Sequence, residues 1–262
     1  IGFVADEKKS DVRFIKYHFD LLKIHLQSIS QGTTQDNLSQ EKLLKFTFTV
    51  PKDLKYQQHI ASILSAYDEL IEVNNQRIKL LEETARELYK EWFVRMRFPG
   101  HKQAKFVKGI PEGWEVVRID SLYKTSSGGT PSREKEEYYK NGIHNWVKTG
   151  ELNDSFIFET SEKITETGLK KSAAKLFPAY TTIFAMYGNT IGQLGVITQP
   201  SATNQACCVF LPLTKEFDFE FLFMTLLLNR DEIISFGMGA AQQNVNQDEL
   251  KKYKILKPTK EL

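Results

Sequence analysis

A gapless internal repeat constrains this chain more than any other feature. Gly32-Thr-Thr-Gln-Asp-Asn-Leu-Ser-Gln-Glu-Lys-Leu43 matches Gly239-Ala-Ala-Gln-Gln-Asn-Val-Asn-Gln-Asp-Glu-Leu250 at a constant offset of 207 residues. The run pairs Gln35 with Gln242, Asn37 with Asn244, Gln40 with Gln247, Glu41 with Asp248 and Leu43 with Leu250. It continues to Phe46/Tyr253 and Pro51/Pro258, and backwards through Phe14/Phe221, Asp11/Asp218 and Phe3/Phe210. A period this long is no solenoid repeat; it points to a duplicated domain.

Between the copies, residues 55–97 contain no Pro or Gly and are rich in strong helix formers. Ile60, Leu64, Tyr67, Ile71, Asn74, Ile78, Leu81, Ala85, Leu88 and Trp92 follow steps of four and three, an unbroken heptad seam. Such a helix is roughly 60 Å long and needs a partner for its apolar stripe, which Ile63, Leu70 and Leu80 widen. Asn74 reads either as a register device or as an exposed Asn. The expected organisation is 1–54 as the end of a first globular unit, 55–98 as a helical spacer, 99–110 as a linker and 111–262 as a second unit. The chain opens on Ile1, and the period puts the start of the first unit before it and the partner helix after Leu262, so a fragment is expected.

The second unit reads as α/β. Strands are expected at Trp114–Ile119, Thr181–Tyr187, Leu194–Thr198, Cys207–Leu211 and Lys252–Leu256, and helix at Phe217–Leu228 and Asp231–Phe236. With 41% hydrophobic and 12% aromatic residues, wholesale disorder is excluded. The most apolar stretch, Phe219–Leu228, is broken by Glu220 and far short of a membrane span. Cys207 and Cys208 are adjacent, too few for a disulfide scaffold, which points to a reducing cytoplasm.

Catalytic signatures are missing from the sequence. There is no G-x-x-x-x-G-K-[ST] loop, no Rossmann glycine pattern, no Asn/Asp-Pro-Pro-aromatic tetrapeptide and no G-x-S-x-G elbow around Ser127. His18, His25, His59, His101 and His144 lack metal-ligand spacing, so neither metal nor cofactor is expected. Glu249-Leu-Lys251 is a nuclease-like triplet of a kind common by chance.

Binding features are richer. Lys124-Thr-Ser-Ser-Gly-Gly-Thr-Pro-Ser-Arg133 reads as a flexible, hydroxyl-rich turn with a cation at each end. Lys124, Ser127, Thr130, Ser132 and Arg133 can approach a phosphate there, or the segment is a plain solvated loop. In Tyr187-Gly-Asn-Thr-Ile-Gly-Gln193, Asn189 and Gln193 can make the paired hydrogen bonds that read adenine; the other reading is a tight turn with a left-handed Asn. Gln242 and Gln243 close the repeat loop, and Gln243, facing Asp36 in the other copy, is the better candidate for a sequence-dependent contact. Lys148, Lys170, Lys171 and Lys175 are candidate phosphate contacts or solvated lysines. With 35 Lys+Arg against 33 Asp+Glu, a nucleic-acid binder must sort its charges into faces. Residues 213–250, with seven acids against Lys215 and Arg230, are the wrong face for DNA.

Taken in order, Gly113-Trp114-Glu115, Ser127-Gly-Gly-Thr-Pro131, Trp146-Val-Lys-Thr-Gly150, Thr165-Glu-Thr-Gly168, Tyr187-Gly-Asn-Thr-Ile-Gly192 and Asn204-Gln205 resemble the specificity subunits of type I restriction–modification enzymes. So does the run from Pro51 through Gln57-Gln58 and Ile60 into the heptads. The resemblance covers essentially the whole chain. It implies two target recognition domains, each reading half of a split double-stranded DNA site, held apart by an antiparallel coiled coil. It also implies methyltransferase subunits docked on that coil and motor–nuclease subunits in the larger complex, with no membrane. A coiled-coil adaptor that reads no DNA, and an enzyme in its own right, are the competing readings.

Overall fold

The computed structural model describes residues 4–30, 43, 45–237 and 244–259. The chain divides into two compact units, Ile1–Thr84 and Ala85–Leu262, and the division falls inside the long helix.

The first unit holds α1 (Val12–Leu21), α2 (Lys23–Ser30) and most of α3 (Leu54–Tyr89). Asp11 caps α1, its carboxylate accepting from the N–H groups of Arg13 and Phe14 at 2.9 and 3.0 Å. Gln57, fully buried on the first turn of α3, ties this cap down. Its Oε1 accepts from Asp11 N–H at 3.0 Å and its Nε2 donates to the Pro51 carbonyl at 2.6 Å. Further along, Asp68 accepts from Tyr17 and Lys16, and Phe14 and Ala61 are buried. The Tyr17 hydrogen bond, with help from Lys16, holds the Asp68 carboxyl below the usual range.

Helix α3 runs 36 residues, then widens into a π turn at Lys90–Val94. The expected helix over 55–97 is therefore shorter. Its last turn loosens where Tyr89 and Phe93 turn onto Phe221, and Met96 takes a left-handed φ of 55°. The expected linker 99–110 is also more ordered than a spacer. Phe98 before it is buried against Trp114, and β1 (Phe106–Val107) pairs with β2 (Ile110–Pro111).

The second unit continues with β3 (Glu115–Arg118), β4 (Tyr123–Ser127), β5 (His144–Val147), β6 (Ser155–Ile157), β7 (Lys163–Ile164) and α4 (Glu166–Lys170). It ends with β8 (Leu176–Phe177), β9 (Thr181–Ala185), β10 (Leu194–Ile197), β11 (Ser201–Thr203), β12 (Cys207–Pro212), α5 (Phe219–Leu228), α6 (Arg230–Gly237), α7 (Gln247–Lys252) and β13 (Lys254–Lys257). A five-stranded sheet has the order β4-β12-β9-β10-β6 and a four-stranded sheet β7-β5-β11-β8, while β13 pairs with β3. The central strands β9 and β12 are buried on both faces; β12 is apolar from Cys207 to Leu211, and β9 buries Thr181 and Thr182 ahead of Ile183-Phe-Ala185. Phe184, Cys208 and Phe210 join Leu222, Leu226 and Ile233 of α5 and α6 in one core. Ile183, Ala185, Cys207 and Val209 face Val147 and Phe177 of the other sheet in a second core. Trp146, Ile164 and Ala202 form a third, on the far face of the four-stranded sheet.

The offset of 207 is met by both helix pairs, α1/α5 and α2/α6, at their first and last residues. Asp218, the counterpart of Asp11, caps α5 through Phe221 N–H. The repeat residues 31–42 and 239–243 lie outside those described. One expected strand is corrected: Lys252 ends α7 instead of opening β13, because Asn246 and Glu249 form a capping box that makes 247–252 helical.

Candidate nucleic-acid interface

Strand directions gather the loops. β12 is antiparallel to β4 and β9, pairing Cys208 with Ser127 and Cys207 with Ala185, so its start meets their ends. β11 is parallel to β5, pairing Thr203 with Val147, so both exit on that side, and Asn204 N–H donates to Val147 O. The connections after β4, β5, β9 and β11 thus leave one end of the two sheets. Val245 N–H donates to Met186 O, bringing residues 244–246 to the same place. Loops on a rigid frame are the usual carriers of recognition.

The segment Lys124–Arg133 is not the flexible turn expected. Lys124 and Ser127 belong to β4, and Lys124 sits at the end of that strand away from the loops, opposite Leu211. The two glycines are packing residues: a Cβ at Gly128 would run into the carbonyl oxygen of Thr203, and one at Gly129 would lie 2.7 Å from the Ala173 backbone. The Trp146 indole N–H donates to Gly129 O, and the Tyr139 hydroxyl donates to Pro131 O. This pinned loop presents Thr130, Ser132 and Arg133 to solvent, with the Thr130 hydroxyl donating to Gln205 Oε1 at 2.6 Å.

Arg133 and Lys148 are not free cations. Both pair with Glu162, and Arg133 also lies over the rings of Tyr139 and Trp146. Lys170 pairs with Glu166, which also meets His144 Nε2 at 2.6 Å. Hydrogen bonding from His144, then Lys170, holds the Glu166 carboxyl below its ordinary range. Lys171 is exposed at the C-cap of α4, two residues before Ala173.

On the β9–β10 connection, Tyr187 and Asn189 are exposed and Gln193 is half-buried. The left-handed positions of this turn are Gly188 and Gly192, at φ 75° and 83°, rather than Asn189. Gln242 and Gln243 lie outside the described residues. Glu249 of the nuclease-like triplet has a structural job, its carboxylate accepting from Asn246 N–H at 2.9 Å. Sequence reasoning missed Gln205 and Glu162 as members of the site; the pair Asn204-Gln205 was a signal for the first, and nothing local marks the second.

In the seam, Ile60 and Leu64 border a cleft with Phe14 and Tyr17. Tyr67, Ile71, Asn74, Ile78 and Leu81 are exposed on α3. Ala85, Leu88 and Trp92 line a cleft of about 590 Å³ with Phe217, Phe221 and Met224.

The family described as type I restriction modification DNA specificity domain matches residues 2–83 and 111–261. The chain belongs to that family. It is 29% identical over 244 residues to the type I restriction enzyme MjaIX specificity subunit of Methanocaldococcus jannaschii, covering 89% of this chain and 55% of that protein. It is 22% identical over 297 residues to the HindI specificity subunit of Haemophilus influenzae, covering 89% and 64%. The fold is that of the S subunit of a type I restriction–modification system from M. genitalium, with a TM-score of 0.65 at 15% identity over 96% of this chain and 62% of that one. The chain therefore spans between half and two thirds of the length of these two specificity subunits.

Proposed function

We propose that the second unit reads one half of a split duplex site as part of the specificity component of a cytoplasmic type I restriction–modification assembly, and that the chain catalyses nothing itself. One observation carries this reading. Four connections, joined by residues 244–246, put hydroxyls, amides and cations (Thr130, Ser132, Arg133, Lys148, Asn189, Gln205) at one end of the two sheets. Cations supply sequence-independent affinity through phosphates, while Asn and Gln side chains choose bases. The acids at the start of α5 lie away from these loops, Asp218 O accepting from the Tyr123 hydroxyl at the far end of β4, whereas α6 packs against the β9–β10 connection at Gly192. Arg230, one of two bases in 213–250, is spent on Asp154. The exposed seam of α3 supplies a docking surface for a helix and for methyltransferase subunits, with motor–nuclease subunits joining the larger complex.

Filter binding of duplex DNA by this chain with its methyltransferase partner tests the reading. Affinity should fall by orders of magnitude between about 50 and 200 mM salt. No binding at either salt favours a coiled-coil adaptor, and turnover of DNA by the chain alone overturns the non-catalytic assignment.

A further inference from the structure

Arg133 and Lys148 come from different connections, yet both end on one carboxylate. Nη1 and Nη2 of Arg133 donate to Oε1 and Oε2 of Glu162 at 3.2 and 2.8 Å, and Lys148 Nζ lies 3.2 Å from Oε2. The guanidinium carbon lies 4.5 Å from the Tyr139 ring centre and 4.9 Å from that of Trp146, while Lys148 Nζ sits 6.0 Å from the same indole. Because both rings are hydrogen-bonded to the Gly129–Pro131 backbone, the platform is built before any ligand arrives.

The two neighbouring acids differ in kind. Glu151 accepts from the N–H groups of Lys148 and Ser161 and from the Ser161 hydroxyl, so it is committed to the backbone. Among the described residues the carboxylate of Glu162 meets only the two cations, and all three side chains are between 31% and 52% exposed. Arg133, then Lys148, holds its carboxyl below the ordinary range, so it is an anion at neutral pH. Pairs this exposed contribute little and exchange readily. The guanidinium fork accepts carboxylate and phosphate with the same bidentate geometry.

We propose that Arg133 and Lys148 form a single seat for a DNA backbone phosphate, and that Glu162 is the placeholder occupying it in the free protein. This rests on the DNA-reading function above. A phosphodiester entering the seat displaces one negative charge with another, and the displaced carboxylate then repels the backbone. Glu162 thereby reduces affinity for every sequence alike and leaves the choice of bases to Asn189, Gln193 and Gln205.

The test uses the chain in complex with its methyltransferase partner and two probes, a random-sequence duplex and the duplex recovered by site selection. Glu162→Gln should bind both more tightly, by about tenfold at 50 mM salt, and should steepen the dependence of log affinity on log salt by about one. Glu162→Ala should do the same, which guards against a glutamine that keeps Arg133 in place. Adding Arg133→Ala to either variant should return affinity and slope to wild type or below. Unchanged affinity and slope in both Glu162 variants, or weaker binding with a lower melting temperature, makes the cluster a structural clasp and overturns the placeholder. If the wild-type complex binds neither probe, the DNA reading itself fails and takes the placeholder with it.

Discussion

At the scale of single residues, the site is decided by contacts that its residue types do not announce. Gly128 sits where a turn is expected, yet its φ is not left-handed and its lack of a side chain serves the close approach of Thr203. Gly128→Ala should therefore overpack the junction of β4 and β11 and cost about 1–3 kcal/mol. A thermal melt followed by circular dichroism should drop by several degrees; an unchanged midpoint rejects the packing role. Cys207 and Cys208 alternate between the two faces of β12 and are both fully buried. Burial pushes the Cys207 thiol up to about 12 and Cys208 higher still. Above the ordinary thiol value near 8.5 the unfolded chain loses these protons first, so rising pH favours unfolding. At pH 8 the folded protein should resist iodoacetamide at both positions and take up two alkyl groups once denatured. Mass spectrometry reads this directly, and rapid labelling of the native protein refutes the burial.

At the scale of elements, the duplication gives a paired experiment. Asp11 and Asp218 cap the first turns of α1 and α5 at equivalent positions, but Asp11 accepts two N–H groups at 2.9 and 3.0 Å where Asp218 accepts one at 3.4 Å. Removing a helix cap costs about 1 kcal/mol. Amide exchange at Phe14 and Phe221 should accelerate about fivefold in the respective Ala variants, with Asp11→Ala the larger effect. Equal or absent acceleration refutes the geometry. Which elements were legible follows from their burial. β10 and β12 carry short apolar runs, β9 is rich in β-branched and aromatic residues, and α5 and α3 have long, uninterrupted helical patterns, so sequence finds them. β11 is Ser201-Ala-Thr203, without a large apolar residue, yet all three are buried between neighbouring strands. Its place comes from the pairing with β5 and β8 and leaves no local trace. The same holds for the site: Arg133 and Lys148 stand out as cations, but their union through Glu162 exists only once the sheets assemble.

At the scale of the whole molecule, the informative element is α3. Its 36 residues make a rod of roughly 54 Å, on which Ile71, Ile78 and Leu81 are 59%, 54% and 69% exposed. An apolar stripe this open requires a cover, and its seven-residue repeat dictates how the rod can be lengthened. Inserting seven residues after Asn75 keeps every seam position on the same face and adds about 10 Å, close to three base pairs of duplex. Inserting four turns everything beyond by about 40° relative to the seam. In a protein carrying both recognition units, the seven-residue insertion should leave each half-site sequence unchanged and widen the unspecified gap between them by about three base pairs. Selection from random duplexes reports both quantities at once. An unaltered gap removes the rod's role as a spacer, whereas altered half-sites would mean that α3 shapes the reading loops themselves. The side chains proposed to choose bases sit on the connections after β9 and β11 and none belongs to the heptad seam, which is why distance and sequence should vary independently.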